Sequence, residues 1–249
     1  MKAMIFAAGL GTRMRPLTEH IPKALIPIGG KPLLEIVIQQ LIGFGYDEIV
    51  VNVHYHAQQI IDFLALKDNF GITIHISDES ETLLDTGGGL LKAAKFLSGD
   101  HPFLVCNVDV LSDIDLAGLR QAHSLHPQNP LATLAVRQRS SERYLLFDEE
   151  NLLCGWQNIR TGETRMVKDS PNIQQWAFSG IQIIDPKLLD LITQKGVFSL
   201  IEVYLQLAKH YPIAAYDHTT GHWIDVGRPQ AIGKAEEILP YLIDGNRIV

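Results

Sequence analysis

The sequence predicts an α/β fold: a mostly parallel sheet with helices on both faces and an antiparallel extension. Three observations carry this. Over the first 130 residues, short apolar runs alternate with segments whose apolar residues recur at helical spacing. Those runs are apolar at consecutive positions, as in strands buried on both faces. From about Leu131 the runs crowd together with turns between them, as antiparallel strands do.

The elements follow in order. Lys2–Ala8 is a short apolar run ended by glycine, a buried strand. The segment from Leu33 has helical periodicity and stops at Gly43 and Gly45. Glu48–Val53 is the second strand, Ala57–Leu66 a helix and Ile72–Ser77 the third strand. A glycine turn, "TGGG" (Thr86–Gly89), leads into a helix starting at Leu90. Phe103–Asp109 is the fourth strand and Leu116–His123 a helix. "LATLAV", "RYLLFD", "LLCGW" and "WAFSGIQII" supply the antiparallel strands, and helices return at Pro186–Ile192, at Leu200–His210 and from Pro229 to the end. The chain has no charged linker or low-complexity tract. It reads as one domain over 1–249, with a nucleotide-side half (1–130) and a second-substrate half (131–249).

Composition narrows the function. The 249 residues are 46% hydrophobic and 20% charged, ordinary for a soluble protein with a sizeable core. No apolar run is long enough to span a bilayer, and the start does not read as a signal peptide. Cys106 and Cys154 are too few for a disulfide framework, which favours the cytoplasm. A net charge of −7 argues against a nucleic-acid binder. Nothing in the sequence sets the oligomeric state; a homo-oligomer is compatible with it.

Against that acidic background, Gly9–Pro32 gathers four glycines, four prolines, two arginines and two lysines, with Glu19 as its one acid. Glycines let backbone N–H groups approach an anion closely. Prolines fix φ, and a cation held in place before reaction costs little reorganisation. A polyphosphate is the natural partner. The loop is not a P-loop, which needs G-x-x-x-x-G-K-[ST]. It is not a dinucleotide fingerprint either. Met14 stands where the third glycine belongs, Pro16, Pro22 and Pro27 prevent one long helix, and the second strand runs into Asn52, His54 and Tyr55 without a carboxylate. A nicotinamide oxidoreductase is excluded on spacing.

Two aspartates end apolar runs far apart in the chain: Asp109 in "FLVCNVD" and Asp225 in "HWIDVG". Alone, either reads as a turn residue at a strand end. Together with the loop, the pair reads as a Mg²⁺ site, since Mg²⁺ takes one or two protein oxygens and completes its shell with water and phosphate. His54 and His56 lie on an extended segment and do not read as ligands. "RQRSSER" (Arg137–Arg143) is either a solvated turn or, through Arg139, a source of cations for a sugar phosphate.

"FAAGLGTRMRPLTEHIPKALIPIGGKPLLE" resembles the signature of the sugar-1-phosphate nucleotidyltransferases. The resemblance continues through "TGGG", "VCNVD", "FSGI" and "HWIDVG", nearly the whole chain. It implies the Rossmann-like, GT-A-like fold of enzymes that take a nucleoside triphosphate and a sugar 1-phosphate. It also implies roles. Ala7, Ala8, Gly9 and Gly88 would line the nucleobase pocket, and Gly11, Thr12 and Arg13 would wrap the triphosphate. Lys23 would contact the phosphates at the reacting centre, with Arg13 and Lys23 as the catalytic cations. Asp109 and Asp225 would hold the metal, and Asn107 and Gly180 would lie beside the sugar. Glu79 falls in a region that faces the base in the family. A carboxylate there could accept two hydrogen bonds from guanine or one from uracil.

The chain departs from many members of that family in two places. Val108 replaces a glycine before the metal aspartate, and the Glu-Lys-Pro triplet whose lysine binds the sugar phosphate is missing. Lys168, Arg137, Arg139 and Arg228 are the nearest substitutes. The resemblance leads to UTP with an amino or acidic sugar such as N-acetylmuramate 1-phosphate, ahead of GTP with mannose 1-phosphate. A phosphocholine cytidylyltransferase and a non-catalytic sugar-nucleotide-binding regulator are the more distant alternatives.

Overall fold

The computed structural model describes residues 1–244, so the last five residues of the expected C-terminal helix lie outside the described residues. A ten-stranded sheet runs through the molecule. Its parallel part consists of β1 (Lys2–Phe6), β4 (Glu48–Val53), β5 (Thr73–Asp78) and β6 (Phe103–Asn107), in the order β6-β1-β4-β5. Between β1 and β4 the basic loop forms three short 3-10 turns, followed by the hairpin of β2 (Pro27–Ile28) and β3 (Lys31–Pro32) and by α1 (Leu33–Gly43). Helix α2 (Ala57–Leu66) joins β4 to β5, and α3 (Asp85–Leu97) joins β5 to β6.

After β6 come β7 (Val110–Ser112), α4 (Leu116–Ser124) and the antiparallel extension. The extension contains β8 (Ala132–Arg137), β9 (Arg143–Phe147), β10 (Leu153–Asn158), β11 (Glu163–Met166) and the long β12 (Gln174–Ile184). Strand β12 runs antiparallel to β6, stitching the two parts into one sheet. Helices α5 (Lys187–Asp190) and α6 (Leu200–Leu207) precede β13 (Ile213–Asp217), β14 (Trp223–Asp225) and α7 (Ala231–Asp244).

Alternation along the central strands explains the layers. Ala3, Ile5, Ile49, Val51, Leu104 and Cys106 face a core built with α1, α2, α4 and α7. Met4, Val50, Phe103 and Val105 face the opposite core, built with α3 and α6. Side chains of successive strand residues point to opposite faces, so an all-apolar strand feeds two cores.

Two expectations change. The "TGGG" segment is not a turn but the opening of α3. Its glycines allow close packing: a Cβ on Gly87 would fall 2.4 Å from the Phe198 ring, and one on Gly88 would fall 2.3 Å from the Gly196 carbonyl oxygen. Strand β6 ends at Asn107, so Asp109 lies in the turn before β7 rather than at the strand end. Strands β2, β3, β7, β11 and β13 are not legible in the sequence. Strand β11 ("ETRM") lacks apolar alternation, and β13 is a short run whose partner, β8, lies about eighty residues away.

Candidate active site

The basic loop is rigid for more reasons than its prolines. Gly11 sits at φ +63°, a conformation that favours glycine, and its carbonyl accepts the Thr18 hydroxyl at 2.8 Å and the Met14 N–H at 2.8 Å. Met14, Ala24 and Ile26 anchor the loop in the core. The "HYH" segment braces it from outside: Tyr55 donates to the Glu19 carbonyl at 3.3 Å, and His56 Nε2 lies 3.3 Å from the same oxygen. Residues that could have been read as metal ligands thus hold the loop in place.

Against the loop stand the two aspartates. Strand β14 pairs with β7, setting Asp225 opposite Val110, and the Val226 N–H donates to the Asp109 carbonyl at 2.8 Å. Lys23 Nζ pairs with the Asp109 carboxylate. Gly227 lies where Arg13 and Asp225 meet, since a Cβ there would fall 2.8 Å from Asp225 Oδ1 and 3.2 Å from Arg13 Nη2. Although the Asp225 surface is exposed, the protein packed around it and the nearby Asp109 push its carboxyl pKa up, while Lys23, Arg13 and Arg139 pull it down. A cation between the two carboxylates relieves this conflict. Among the described residues no three His, Cys, Asp or Glu gather into a metal cluster. The pair therefore suits a hard ion that draws its other ligands from phosphate and water.

Two adjoining cavities lie beside this cluster, with Asp225 in the lining of neither. The first, about 560 Å³, is lined by Ala7, Ala8, Gly9, Gly11, Thr12, Arg13, Lys23 and Asp109. The second, about 660 Å³, is lined by Arg139, Arg143, Trp156 and Arg165. Phe6, Asp85, Thr86 and Asn107 belong to both. Gly180, at φ +77°, packs against Asn107: a Cβ there would fall 2.8 Å from Asn107 Nδ2. The residues expected beside the sugar are thus neighbours, where the two cavities join.

Two expected nucleobase contacts are revised. Glu79 lies in the wall of the first cavity but has no exposed surface. Its carboxylate accepts the Asn52 amide at 2.7 Å and the Leu84 N–H at 3.0 Å, and its burial keeps it out of reach of a base. Gly88 does not line the cavity; it is buried where α3 packs on the Gly196 carbonyl.

The substitutes for the missing lysine also separate. Arg137 lines neither cavity, and its Nη2 donates to the Thr219 and Gly221 carbonyls, both at 3.0 Å. Lys168 and Arg228 line neither cavity. Arg139 does line the second, held 4.4 Å over the Trp223 ring and donating to the Phe178 carbonyl at 3.0 Å. Arg165, which the sequence did not single out, sits 4.6 Å over Trp156 and pairs bidentately with Glu202 at 2.8 Å. Its signal was invisible because β11, which carries it, has no apolar pattern.

The nucleotidyl transferase family model matches residues 2–240. N-acetylmuramate alpha-1-phosphate uridylyltransferase of Neisseria meningitidis serogroup B is 33% identical over 244 residues, covering 96% of this chain and 98% of that protein. Mannose-1-phosphate guanylyltransferase catalytic subunit beta of Drosophila pseudoobscura pseudoobscura is 31% identical over 232 residues, which are 92% of this chain but 60% of that protein. The structure of the inositol-1-phosphate CTP transferase from T. maritima superposes with a TM-score of 0.77, covering 98% of this chain and 96% of that one at 16% identity. The last likeness concerns the fold alone. With a family match over nearly all of its length and a site built from that family's loop, the chain belongs to the nucleotidyl transferase family, among the sugar-1-phosphate nucleotidyltransferases.

Proposed function

We propose that this chain makes a uridine diphosphate sugar from UTP and an acidic amino sugar 1-phosphate, N-acetylmuramate 1-phosphate first among them. The observation that carries the reading is that Arg13, Lys23 and Asp109 line the first cavity, with Asp225 brought alongside them by the pairing of β14 with β7. A phosphate oxygen of the sugar 1-phosphate attacks the α-phosphorus in line. The new P–O bond forms as the bond to the β-phosphate breaks, and pyrophosphate leaves. The nucleophile is already an anion, so no general base is needed.

Arg13 and Lys23 neutralise charge on the triphosphate, while Asn107 and Gly180 border the sugar. Asp109 and Asp225 would hold Mg²⁺, which supplies further charge neutralisation at the phosphates. Arg139 and Arg143 in the second cavity support a sugar that carries a carboxylate. The near-complete coverage of the uridylyltransferase relative supports the same choice.

The alternative, GTP with mannose 1-phosphate, is favoured by the guanylyltransferase relatives. It loses its argument from Glu79, whose carboxylate is buried. The cytoplasmic reading is supported by two free cysteines, both buried. Pyrophosphate release, measured across the four nucleoside triphosphates and a panel of sugar 1-phosphates, is the test. Highest kcat/KM for UTP with N-acetylmuramate 1-phosphate is expected; preference for GTP with mannose 1-phosphate overturns the substrate choice and leaves the reaction class standing.

A further inference from the structure

A fully buried carboxylate needs partners, and those of Glu79 belong to two different segments that contribute to the first cavity, β4 and the stretch before α3. One oxygen accepts the Leu84 N–H at 3.0 Å and so fixes the segment that puts Leu83 into the cavity wall. The other accepts Asn52 Nδ2 at 2.7 Å. Asn52, itself 3% exposed, passes the order on: its Oδ1 accepts the backbone N–H of Ala7 at 2.7 Å. Ala7 opens the glycine loop, which also lines the cavity. Gly89 seals the arrangement, since a Cβ there would fall 2.7 Å from Glu79 Oε1 and 3.1 Å from Asn52 Nδ2.

We infer that Glu79 and Asn52 are positioning residues that couple the Ala7 wall to the Leu83 wall and so set the width of the slot for the nucleobase. This rests on the first cavity being the nucleotide site. Every donor in the relay meets one acceptor: Leu84 N–H and Asn52 Nδ2 meet Glu79, and Ala7 N–H meets Asn52 Oδ1. Polarity runs one way only. Glu79→Gln keeps the shape but leaves one acceptor fewer and adds a donor. The new amide must then face either the Leu84 N–H or Asn52 Nδ2, donor to donor. Flipping the Asn52 amide moves the conflict to Ala7, and Gly89 leaves no room to escape it. Adding Asn52→Asp removes it: one oxygen of the new carboxylate accepts from the amide at position 79 and the other from the Ala7 N–H, with total charge unchanged.

The experiment compares Glu79→Gln, Asn52→Asp and the double variant with wild type. Nucleotide binding is measured directly by titration calorimetry with UTP and GTP, alongside KM for each substrate and Tm. Because nucleotide binding is read without turnover, this inference fails separately from the transferase reading.

Glu79→Gln is expected to weaken binding of the preferred nucleotide about tenfold or more, the scale of one buried donor left unpaired, with the sugar-phosphate KM within about twofold of wild type. Asn52→Asp, which sets two carboxylates face to face, is expected to lose at least as much. The double variant is expected to recover binding to within about threefold of wild type. Should Glu79→Gln fail to fold, the double variant decides alone: near wild-type binding supports the relay, and a tenfold loss overturns it. Unchanged nucleotide affinity in Glu79→Gln, or equal loss for both substrates, also overturns it.

Discussion

Lys23 forms an ion pair with Asp109 in the first cavity, with side chains 11% and 19% exposed. The loop cation is thereby pre-placed against one of the two carboxylates assigned to the metal. With phosphates and a divalent ion bound, Lys23 would exchange Asp109 for phosphate oxygen, which would free the carboxylate for the ion.

The first prediction follows from that exchange. Lys23→Ala and Arg13→Ala are each expected to lower kcat by about 10²–10³, the usual scale for losing one preorganised charge-stabilising donor. Steady-state pyrophosphate release reads this directly. A kcat near wild type for Lys23→Ala moves the clamp to another residue.

Metal dependence is the second. Activity is expected to disappear in excess chelator and to return with Mg²⁺ or Mn²⁺. Asp109→Asn and Asp225→Asn are expected to remove most activity with little change in Tm, since neither side chain is in the core. Full turnover in chelator contradicts the assignment.

The third concerns Gly227, where a Cβ would crowd both Asp225 Oδ1 at 2.8 Å and Arg13 Nη2 at 3.2 Å. Gly227→Ala is expected to lower kcat by at least about tenfold, the cost of displacing preorganised groups, while the protein stays folded. Gly11→Val is expected to act instead on nucleotide KM and on stability, because it forces a β-branched residue to φ +63° and against Thr18 Cγ2 at 2.9 Å.

Gly88 gives the fourth, a test of packing against recognition. Gly88→Ala puts a methyl 2.3 Å from the Gly196 carbonyl oxygen, and a stability loss of about 1–3 kcal/mol is expected in urea unfolding. Its nucleotide KM is expected to stay within about threefold of wild type. A large KM effect without destabilisation returns Gly88 to the base pocket.

Acid sensitivity is the fifth. Burial pushes His123 and His218 down from 6.5 to about 4; His123 Nδ1 lies 2.9 Å from the Thr133 hydroxyl, and His218 Nε2 lies 2.6 Å from that of Ser179. Unfolding exposes them, so between pH 6.5 and 4 the unfolded chain binds more protons than the native one. Their contribution to stability is complete above pH 6.5 and is lost as pH falls towards 4. Tm is expected to decline across that window, and His123→Gln is expected to flatten the slope. An unchanged slope in that variant removes His123 from the account.

The sequence by itself determined the Gly/Pro framework of the basic loop and the parallel strands and helices of the first half of the fold. Strand 48–53 and helix 57–66 match their expected bounds, because two-sided burial and helical periodicity are local patterns. The Gly/Pro framework around Arg13 and Lys23 was readable because turn chemistry depends on neighbouring residues.

Only the tertiary structure decided what depends on distant partners. It joined Asp109 to Asp225 through a strand pair spanning more than a hundred residues, and it set Arg139 in the wall of the second cavity while Arg137 lines neither. It also turned Glu79 from a base contact into a buried brace and Gly88 from a pocket wall into a packing contact. Burial and hydrogen-bond pairing are set by whatever the rest of the chain brings alongside, and no local window carries that information.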